Sequence, residues 1–455
     1  MTGDERTRAL GSEDITSLLF RLTLPAFFGM FVNALYNLVD TLFVGNVVGH
    51  VAIGSLSIVN PIQLIIVATS LMVAVGTASS ISRNLGAGKM ERARAYFRTS
   101  YGLNLILGFA IIVLGLIFSE PIIDLFGATA EMREMALSYI RIVLFAAPAQ
   151  MIVMNTHHIL RGEGKSLQSM IGLMIGAFTN IFLDAVFIVY FRWGVEGAAI
   201  ATVASQYISM LYMGWIYYTG RSSIGEYPHR LNLNIELVKD IFSIGLPTFL
   251  RNGTASIIAV FVNISLAMYG GDMAISAYGT VNRLIFFVTL PAISLVQGMQ
   301  PIAGYNYGAG NLRRLIEVVK SALTWDTLLL TFSTALLFLF NSSIISLFSR
   351  EPAFIEKTRE ASWVLFSMVP LLGLQFISSS FFQSLGEPRP ALIITLIHRV
   401  LVFPPLLWLL PKTGLGLLGV YLAFPISDVI SSLIGGLLLK KKISELREEI
   451  ALSEN

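Results

Sequence analysis

The sequence predicts an all-α polytopic membrane protein, with twelve transmembrane helices arranged as two parallel six-helix repeats. Three observations carry this. Only 13% of the 455 residues are charged and 55% are hydrophobic, for a mean hydropathy of +0.73. Soluble domains carry about 25% charged residues, so a chain this depleted cannot clothe a water-facing surface and must use lipid as solvent. Long apolar runs follow one another along the whole chain. The sequence also repeats itself at an offset of 222 residues, which carries Pro25 onto Pro247.

A helix that crosses a bilayer needs about 20 mostly apolar residues. Such runs lie at 18–44, 51–82, 99–118, 136–160, 167–190, 195–218, 240–268, 274–303, 321–340, 362–384, 390–410 and 415–439. Gly45, Gly49, Gly270, Gly271 and the Gly-Ala-Gly segments at 86–88 and 308–310 release the chain at helix ends. The first 17 residues are polar and mixed in charge, so no cleavable signal is expected and the first run reads as a permanent helix. With both termini placed in the cytoplasm, most of the 31 Lys and Arg fall on the cytoplasmic side, among them Arg83, Lys89, Arg92, Arg94, Arg98 and Lys440–Lys442. That is the expected bias of short cytoplasmic loops. The chain is therefore expected in the cell membrane as a multi-pass protein, and as a monomer.

The repeat holds in its punctuation. Leu24-Pro25 falls on Leu246-Pro247, Gly49 on Gly271, Val59-Asn60 on Val281-Asn282, and Asn84-x-Gly-Ala-Gly88 on Asn306-x-Gly-Ala-Gly310. Gly194 and Gly197 fall on Gly416 and Gly419, while Gly162-Glu163 matches Gly386-Glu387 at an offset of 224. Six helices return the chain to its starting side, so the halves are parallel repeats about the membrane normal, a design in which transporters rock two halves around a substrate. The expected organisation is an N-terminal bundle at 1–218, a cytoplasmic linker at 219–239 and a C-terminal bundle at 240–455.

Other function classes fit poorly. A net charge of +3 offers no basic field for nucleic acid. With no cysteine, disulfides, thiol catalysis and cysteine metal sites are excluded. No H-E-x-x-H or G-x-S-x-G motif occurs, so no enzyme and no cofactor is expected. A major-facilitator transporter would carry a Gly-x-x-x-Asp-Arg-like loop after helix two, where this chain has Asn84-Leu-Gly-Ala-Gly88.

Several polar residues stand within the apolar runs. Asn33, Tyr36, Asn37 and Asp40 recur at helical spacing and form one stripe on the first helix. A carboxylate at the centre of a bilayer costs about 2.5–3.5 kcal/mol on insertion scales, so Asp40 faces protein or water, unless it is solvated at the helix end. Asn180 and Asp184 share a face one turn apart. With Thr202 in the next helix they supply hard oxygen donors of the kind a Na⁺ ion takes. Burial favours the uncharged carboxyl, so the same acids suit a proton, and a simple packing hydrogen bond between Asn180 and Asp184 is the plainer alternative. Met151 and Met174 flank the polar stripes, and Asn155 and His157 sit near the inner end of the fourth helix, where interfacial hydrogen bonding is the plainer alternative; with Asn33 these four are expected to line a substrate cavity. His157 and its neighbour His158 are also able to titrate near neutral pH. Pro25 removes a backbone hydrogen bond and permits a bend. In the second half, Arg283, His398, Arg399 and Asp428 stand in or near the spans; Arg399 and Asp428 are placed to pair, and a structural ion pair is preferred to substrate binding because an unpaired charge there is costly, with the pairing itself left open.

Tyr36-Asn-Leu-Val-Asp-Thr-Leu-Phe-Val-Gly45 after Leu24-Pro25, Gln297-Gly-Met-Gln-Pro301 running into Gly304-Tyr-Asn-Tyr-Gly-Ala-Gly310, and Leu160-Arg-Gly-Glu-Gly164 resemble segments of the multidrug and toxic compound extrusion (MATE) family. The resemblance covers essentially the whole chain. The second half has no acid between Arg251 and Gly271 or between Met273 and Asn311, which is more similar to the DinF and MepA-like branch than to the NorM branch. The resemblance implies export of small organic, often cationic, compounds by antiport with H⁺ or Na⁺. It matches Asp40, Asn180, Asp184 and Thr202 to the family's N-lobe cation site, and Tyr36 and Tyr139, with Asn37, to its polar network. The runner-up is a flippase for a lipid or lipid-linked saccharide in the related polysaccharide-exporter lineage. The 222-residue offset maps Asp40, Asn180 and Asp184 onto Val262, Val402 and Leu406, so the second half is expected to act mainly as a rocking partner.

Overall fold

The computed structural model describes residues 3–126, 129–225 and 233–454. Of the linker expected at 219–239, residues 226–232 lie outside the described residues. Among the described residues there is no strand. A short helix α1 (Gly3–Ser12) precedes the first spans: α2 (Ile15–Phe43), α3 (His50–Gly86), α4 (Met90–Leu125), α5 (Ala130–Val143) continuing through one 3₁₀ turn into α6 (Ala147–Gly162), α7 (Ser166–Asp184) and α8 (Gly194–Tyr218). The second set is α9 (Ile235–Gly308), α10 (Leu312–Leu339), the one-turn α11 (Asn341–Ile345), α12 (Pro352–Phe366), α13 (Val369–Leu385), α14 (Pro388–Leu396), α15 (Phe403–Leu409) and α16 (Gly416–Glu454).

Among the described residues, nine helices are long and apolar enough to cross a membrane, or ten if α12 and α13, bent by 42°, form one span. The 74-residue α9 holds two spans, broken where Gly271 takes φ 65°. Counting its arms separately and adding the 25-residue α8, which carries four Tyr, recovers the twelve spans. Large apolar side chains such as Phe182, Leu211 and Phe332 stand exposed, as lipid-facing residues do.

The repeat is written in the backbone as well as in the sequence. Gly49 and Gly271, Gly88 and Gly310, Gly164 and Gly386, and Gly194 and Gly416 all take positive φ. Each pair is separated by 222 residues. Left-handed backbone is almost free for glycine and costly for other residues, so these turns keep the register. The Gly164–Gly386 pair corrects the alignment at this loop: the equivalent of Gly386 is Gly164, and the match of Gly162-Glu163 with Gly386-Glu387 at offset 224 is a coincidence of identity.

The helices form two compact units. The N-unit holds 1–13 and 24–249, and the C-unit holds 14–23 and 250–455. The first ten residues of the Asp14–Thr23 segment thus pack with the C-unit, and the start of α9 packs with the N-unit. Of the three boundaries, the one at 23/24 falls at Leu24-Pro25 and the one at 249/250 just after Leu246-Pro247. The N-unit core gathers Val44, Val59, Ile123, Ile140, Leu144 and Ala198. The C-unit core gathers Val262, Val281, Phe366, Phe403 and Val420.

One ion pair is fully buried in the N-unit. Lys165 Nζ lies 2.7 Å from Glu163 Oε2, and both side chains are sealed from solvent. Lys165 also donates to the Arg221 carbonyl (2.7 Å). Ser222 Oγ donates to Glu163 Oε1 (2.8 Å), and the Ser223 amide to Oε2 (2.7 Å). Thr7 Oγ1 of α1 donates to the Glu163 carbonyl (3.0 Å). The loop after α6 is therefore a knot that ties α1 and the segment after α8 to the bundle. A buried charge pair persists only when its other donors and acceptors find partners; here both Glu163 oxygens accept and Lys165 Nζ has two acceptors.

Candidate functional site

The stripe on α2 leads into the N-unit. Asn33 and Asn37 are exposed, and Tyr36 and Asp40 are half-buried. Asn37 Nδ2 donates to the Asn33 carbonyl one turn back (2.7 Å), which holds that amide along the helix. Asp40 and Asp184 adjoin one another, with the Tyr36 and Tyr139 hydroxyls in electrostatic range of both. Asp184 is the last residue of α7, before a π-helical turn at Ala185–Tyr190. Such wide turns occur mostly as single insertions and frequently mark functional sites.

Neither Asp184 oxygen, nor Asp40 Oδ1, nor either side-chain polar atom of Asn180 has a hydrogen-bond partner, and all are buried. Asn180 therefore does not make the packing hydrogen bond to Asp184 that was the plainer alternative. Two adjoining carboxylates repel, and in a poorly hydrated site the repulsion is removed by a proton or by a cation. The unpaired oxygens of Asp40, Asn180 and Asp184 are a donor set for either. Thr202 is half-buried on α8; its carbonyl accepts from Ser205 Oγ (2.9 Å), and no hydrogen bond joins its hydroxyl to the acids.

The expected cavity residues separate. Met174 is half-buried on α7. Met151, Asn155 and His157 are buried on α6. Asn155 Nδ2 donates to Ser100 Oγ on α4 (3.0 Å), and His157 Nδ1 is hydrogen-bonded to Ser169 Oγ on α7. In these spans the inward and lipid-facing sides are both apolar, so sequence alone does not say how α6 is rotated. Pro25 lies inside α2, which runs through it unbroken.

Two residues were missed. Gln63 of α3 donates to Tyr139 Oη (3.3 Å) and so orients the hydroxyl beside the acids; a lone Gln in an apolar run was the available signal. Asp326 of α10 is fully buried with both oxygens unpartnered, against Gly373 of α13. It occupies the repeat position of Asn104, so the second half does keep an intramembrane acid, though at a different place from Asp40 and Asp184.

The C-unit holds a cavity of about 450 Å³ lined by Arg251, Tyr278, Gln375, His398, Arg399 and Asp428 among others. In place of an Arg399–Asp428 pair, Asp428 Oδ1 is hydrogen-bonded to His398 Nε2 at 2.9 Å. His398 and Arg399 sit on a π-helical turn, Ile397–Val402. Pro404 and Pro405 follow it, and neither can donate the backbone hydrogen bond that would continue a regular helix through this turn. The wide turn changes which of the two neighbours meets Asp428.

Comparison with known proteins agrees with this architecture. The MatE family model matches residues 25–186 and again 247–408, two matches at the same 222-residue spacing as the glycine turns. The chain is 26% identical over 437 residues to the multidrug export protein MepA of Staphylococcus aureus (strain NCTC 8325 / PS 47), covering 96% of each protein. A crystal structure of MATE in the bent conformation superposes with a TM-score of 0.92 at 26% identity, covering 99% of each chain. One in the straight conformation superposes at 0.90 and 27% identity, covering 97% of this chain and 98% of that one.

Proposed function

This chain belongs to the MatE family, and on that premise we propose that it is a secondary-active multidrug exporter which moves small organic, often cationic, compounds out of the cell by antiport with H⁺ or Na⁺. The similarity to a multidrug export protein along nearly the whole chain supports the substrate class. The observation that carries the coupling is the adjoining carboxyl pair Asp40 and Asp184 in the N-unit, three of whose four oxygens are buried without a partner. With one proton or Na⁺ between them the pair's charge falls from −2 to −1, and its pull on a second cation falls with it. Without it, the pair attracts an organic cation. Ion and substrate then exclude one another electrostatically, and exchange needs no further coupling device. Asn180, and Thr202 after a small movement, would supply neutral oxygens to Na⁺. Tyr36 and Tyr139, the latter held by Gln63, would keep the hydrogen-bonding field around the acids.

The two six-helix halves would rock as rigid bodies about the Leu-Pro positions of α2 and α9, with a bend at Pro25 altering the space along the Asn33–Asp40 stripe. Both termini would lie in the cytoplasm, following the Lys and Arg bias. The test is uptake of a lipophilic cationic dye by proteoliposomes of the purified chain, with a Na⁺ or H⁺ gradient imposed separately. Dye movement that follows one gradient and collapses with its ionophore is expected. Dye movement indifferent to both gradients overturns the reading. So does gradient-independent flipping of a lipid-linked saccharide with no dye transport.

A further inference from the structure

The cavity of the C-unit has a charge balance that the exporter reading leaves unused. Two guanidiniums, Arg251 and Arg399, reach it and lie within electrostatic range of each other. The only carboxylate among the lining residues is Asp428, and it is already hydrogen-bonded to His398. Arg399 Nε is buried and has no hydrogen-bond partner. No ion pair involves Arg251 or Arg399 among the described residues; Asp428, hydrogen-bonded to His398, lies within electrostatic range of Arg399. An unpaired cation in a membrane-embedded, largely apolar chamber is costly, and arginine is the side chain best shaped to grip a planar oxyanion with two parallel N–H donors.

The rest of the wall is aromatic and apolar. Phe424 lines it, edge-on to Phe403 at 4.7 Å and tilted on Tyr278 at 5.4 Å. Gln375, Asn282 and Thr395 add neutral polar groups. A volume of about 450 Å³ lies in the range of small-molecule sites, which pair an apolar lining with a few convergent polar groups. The π-helical turn at Ile397–Val402 turns both His398 and Arg399 to this chamber.

We propose that the C-unit cavity is a binding site for an aromatic organic anion, its carboxylate or equivalent oxyanion held by Arg251 and Arg399 and its ring set among Tyr278, Phe403 and Phe424. This goes beyond the cation-coupled reading and does not depend on it. It adds acidic aromatics to the ligands this chain takes, and it gives Asp428 a definite role. By engaging His398, Asp428 leaves the guanidiniums free while its charge tempers their field.

The test is equilibrium dialysis of the purified full chain, in an uncharged detergent, against 1-naphthoate, with uncharged 1-naphthamide as comparator. One saturable site is expected, preferring naphthoate over the amide by about tenfold or more. Arg399→Gln and Arg251→Gln should each weaken naphthoate about tenfold and leave the amide unchanged. Asp428→Asn, which removes the facing negative charge, should tighten naphthoate several-fold, and that gain of affinity cannot come from misfolding. Dioleoyl phosphatidylglycerol is titrated in parallel. Equal binding of naphthoate and its amide overturns the proposal, as does an unchanged affinity in Arg399→Gln and Asp428→Asn. Arg399-dependent retention of the anionic lipid with no binding of naphthoate overturns it in favour of a lipid headgroup site. Binding is read without any ion gradient, so failure of coupled export and failure of this site are separate results.

Discussion

Gly76 of α3 lies flush against the backbone of Ile241 at the start of α9, so that a Cβ on Gly76 would overlap the Ile241 carbonyl oxygen. The repeat reproduces the contact. Gly298, the counterpart of Gly76, lies against Leu19, the counterpart of Ile241, with the Leu19 carbonyl oxygen 3.3 Å from where a Cβ would stand and Thr23 Oγ1 2.6 Å away. Each compact unit therefore seats the first segment of one long helix in a glycine notch. Small residues permit this close backbone approach, which in lipid must come from packing because no hydrophobic force drives helices together.

Gly76→Val and Gly298→Val should each destabilise the purified protein by about 1–3 kcal/mol, the usual cost of overpacking. Gly253, with nothing within 4 Å of its would-be Cβ, is the control. Gly253→Ala should leave the thermal midpoint unchanged or raise it slightly, since alanine is the better helix former. A Gly76→Val protein that melts with the parent would show that the notch does not hold the start of α9.

Asp40→Asn and Asp184→Asn should each lower gradient-driven export about tenfold or more while the protein still inserts and melts as a folded unit. Because the two carboxyls act as one site, the double variant should lose little more than either single one. Gln63→Leu, which removes the donor to Tyr139, should give a milder loss. Wild-type export by well-folded Asp184→Asn protein would remove the pair from the coupling mechanism.

Much of this was legible in the chain. The twelve spans follow from the apolar runs, and the two halves from glycines at which only left-handed backbone fits. The Asn33–Asp40 and Asn180–Asp184 faces were legible because they depend only on helical spacing within one element. What depended on packing was not. The rotation of α6, which buries Asn155 against Ser100, leaves no trace in an apolar run. Gln63 meets Tyr139 across 76 residues. Which of the adjacent His398 and Arg399 meets Asp428 is open in the sequence; the π-helical turn that presents His398 to it is not anticipated by regular spacing.

The Glu163–Lys165 pair offers a test of the knot after α6. Glu163→Gln or Lys165→Met alone leaves a fully buried partner charge without its counter-ion, at a cost of about 3–5 kcal/mol. The double variant should recover a large part of that loss. A thermal double-variant cycle measures it. Additive losses would mean that the two charges are independently solvated.

Topology is open to a clean labelling experiment, since the chain has no cysteine to remove. Lys89→Cys, in the basic turn between α3 and α4, should be protected from an impermeant maleimide in intact cells and react after permeabilisation. Reaction from outside would invert the proposed orientation.

The last prediction concerns the division of labour between the halves. The scaffold is duplicated, but Asp40, Asn180 and Asp184 meet Val262, Val402 and Leu406 in the second copy. An ion cannot be coordinated where its carboxylates have become aliphatic. The second copy instead carries Asp428 hydrogen-bonded to His398, in a chamber where two guanidiniums repel a cation. Coupling-ion binding should therefore be lost in Asp184→Asn and retained in Asp428→Asn. Ion-dependent changes in intrinsic tryptophan fluorescence of each purified variant, titrated with Na⁺ at fixed pH and with H⁺ at fixed Na⁺, would read this directly. If Asp428→Asn abolishes the ion response while Asp184→Asn keeps it, the coupling site lies in the C-unit and the assignment to the N-unit pair fails.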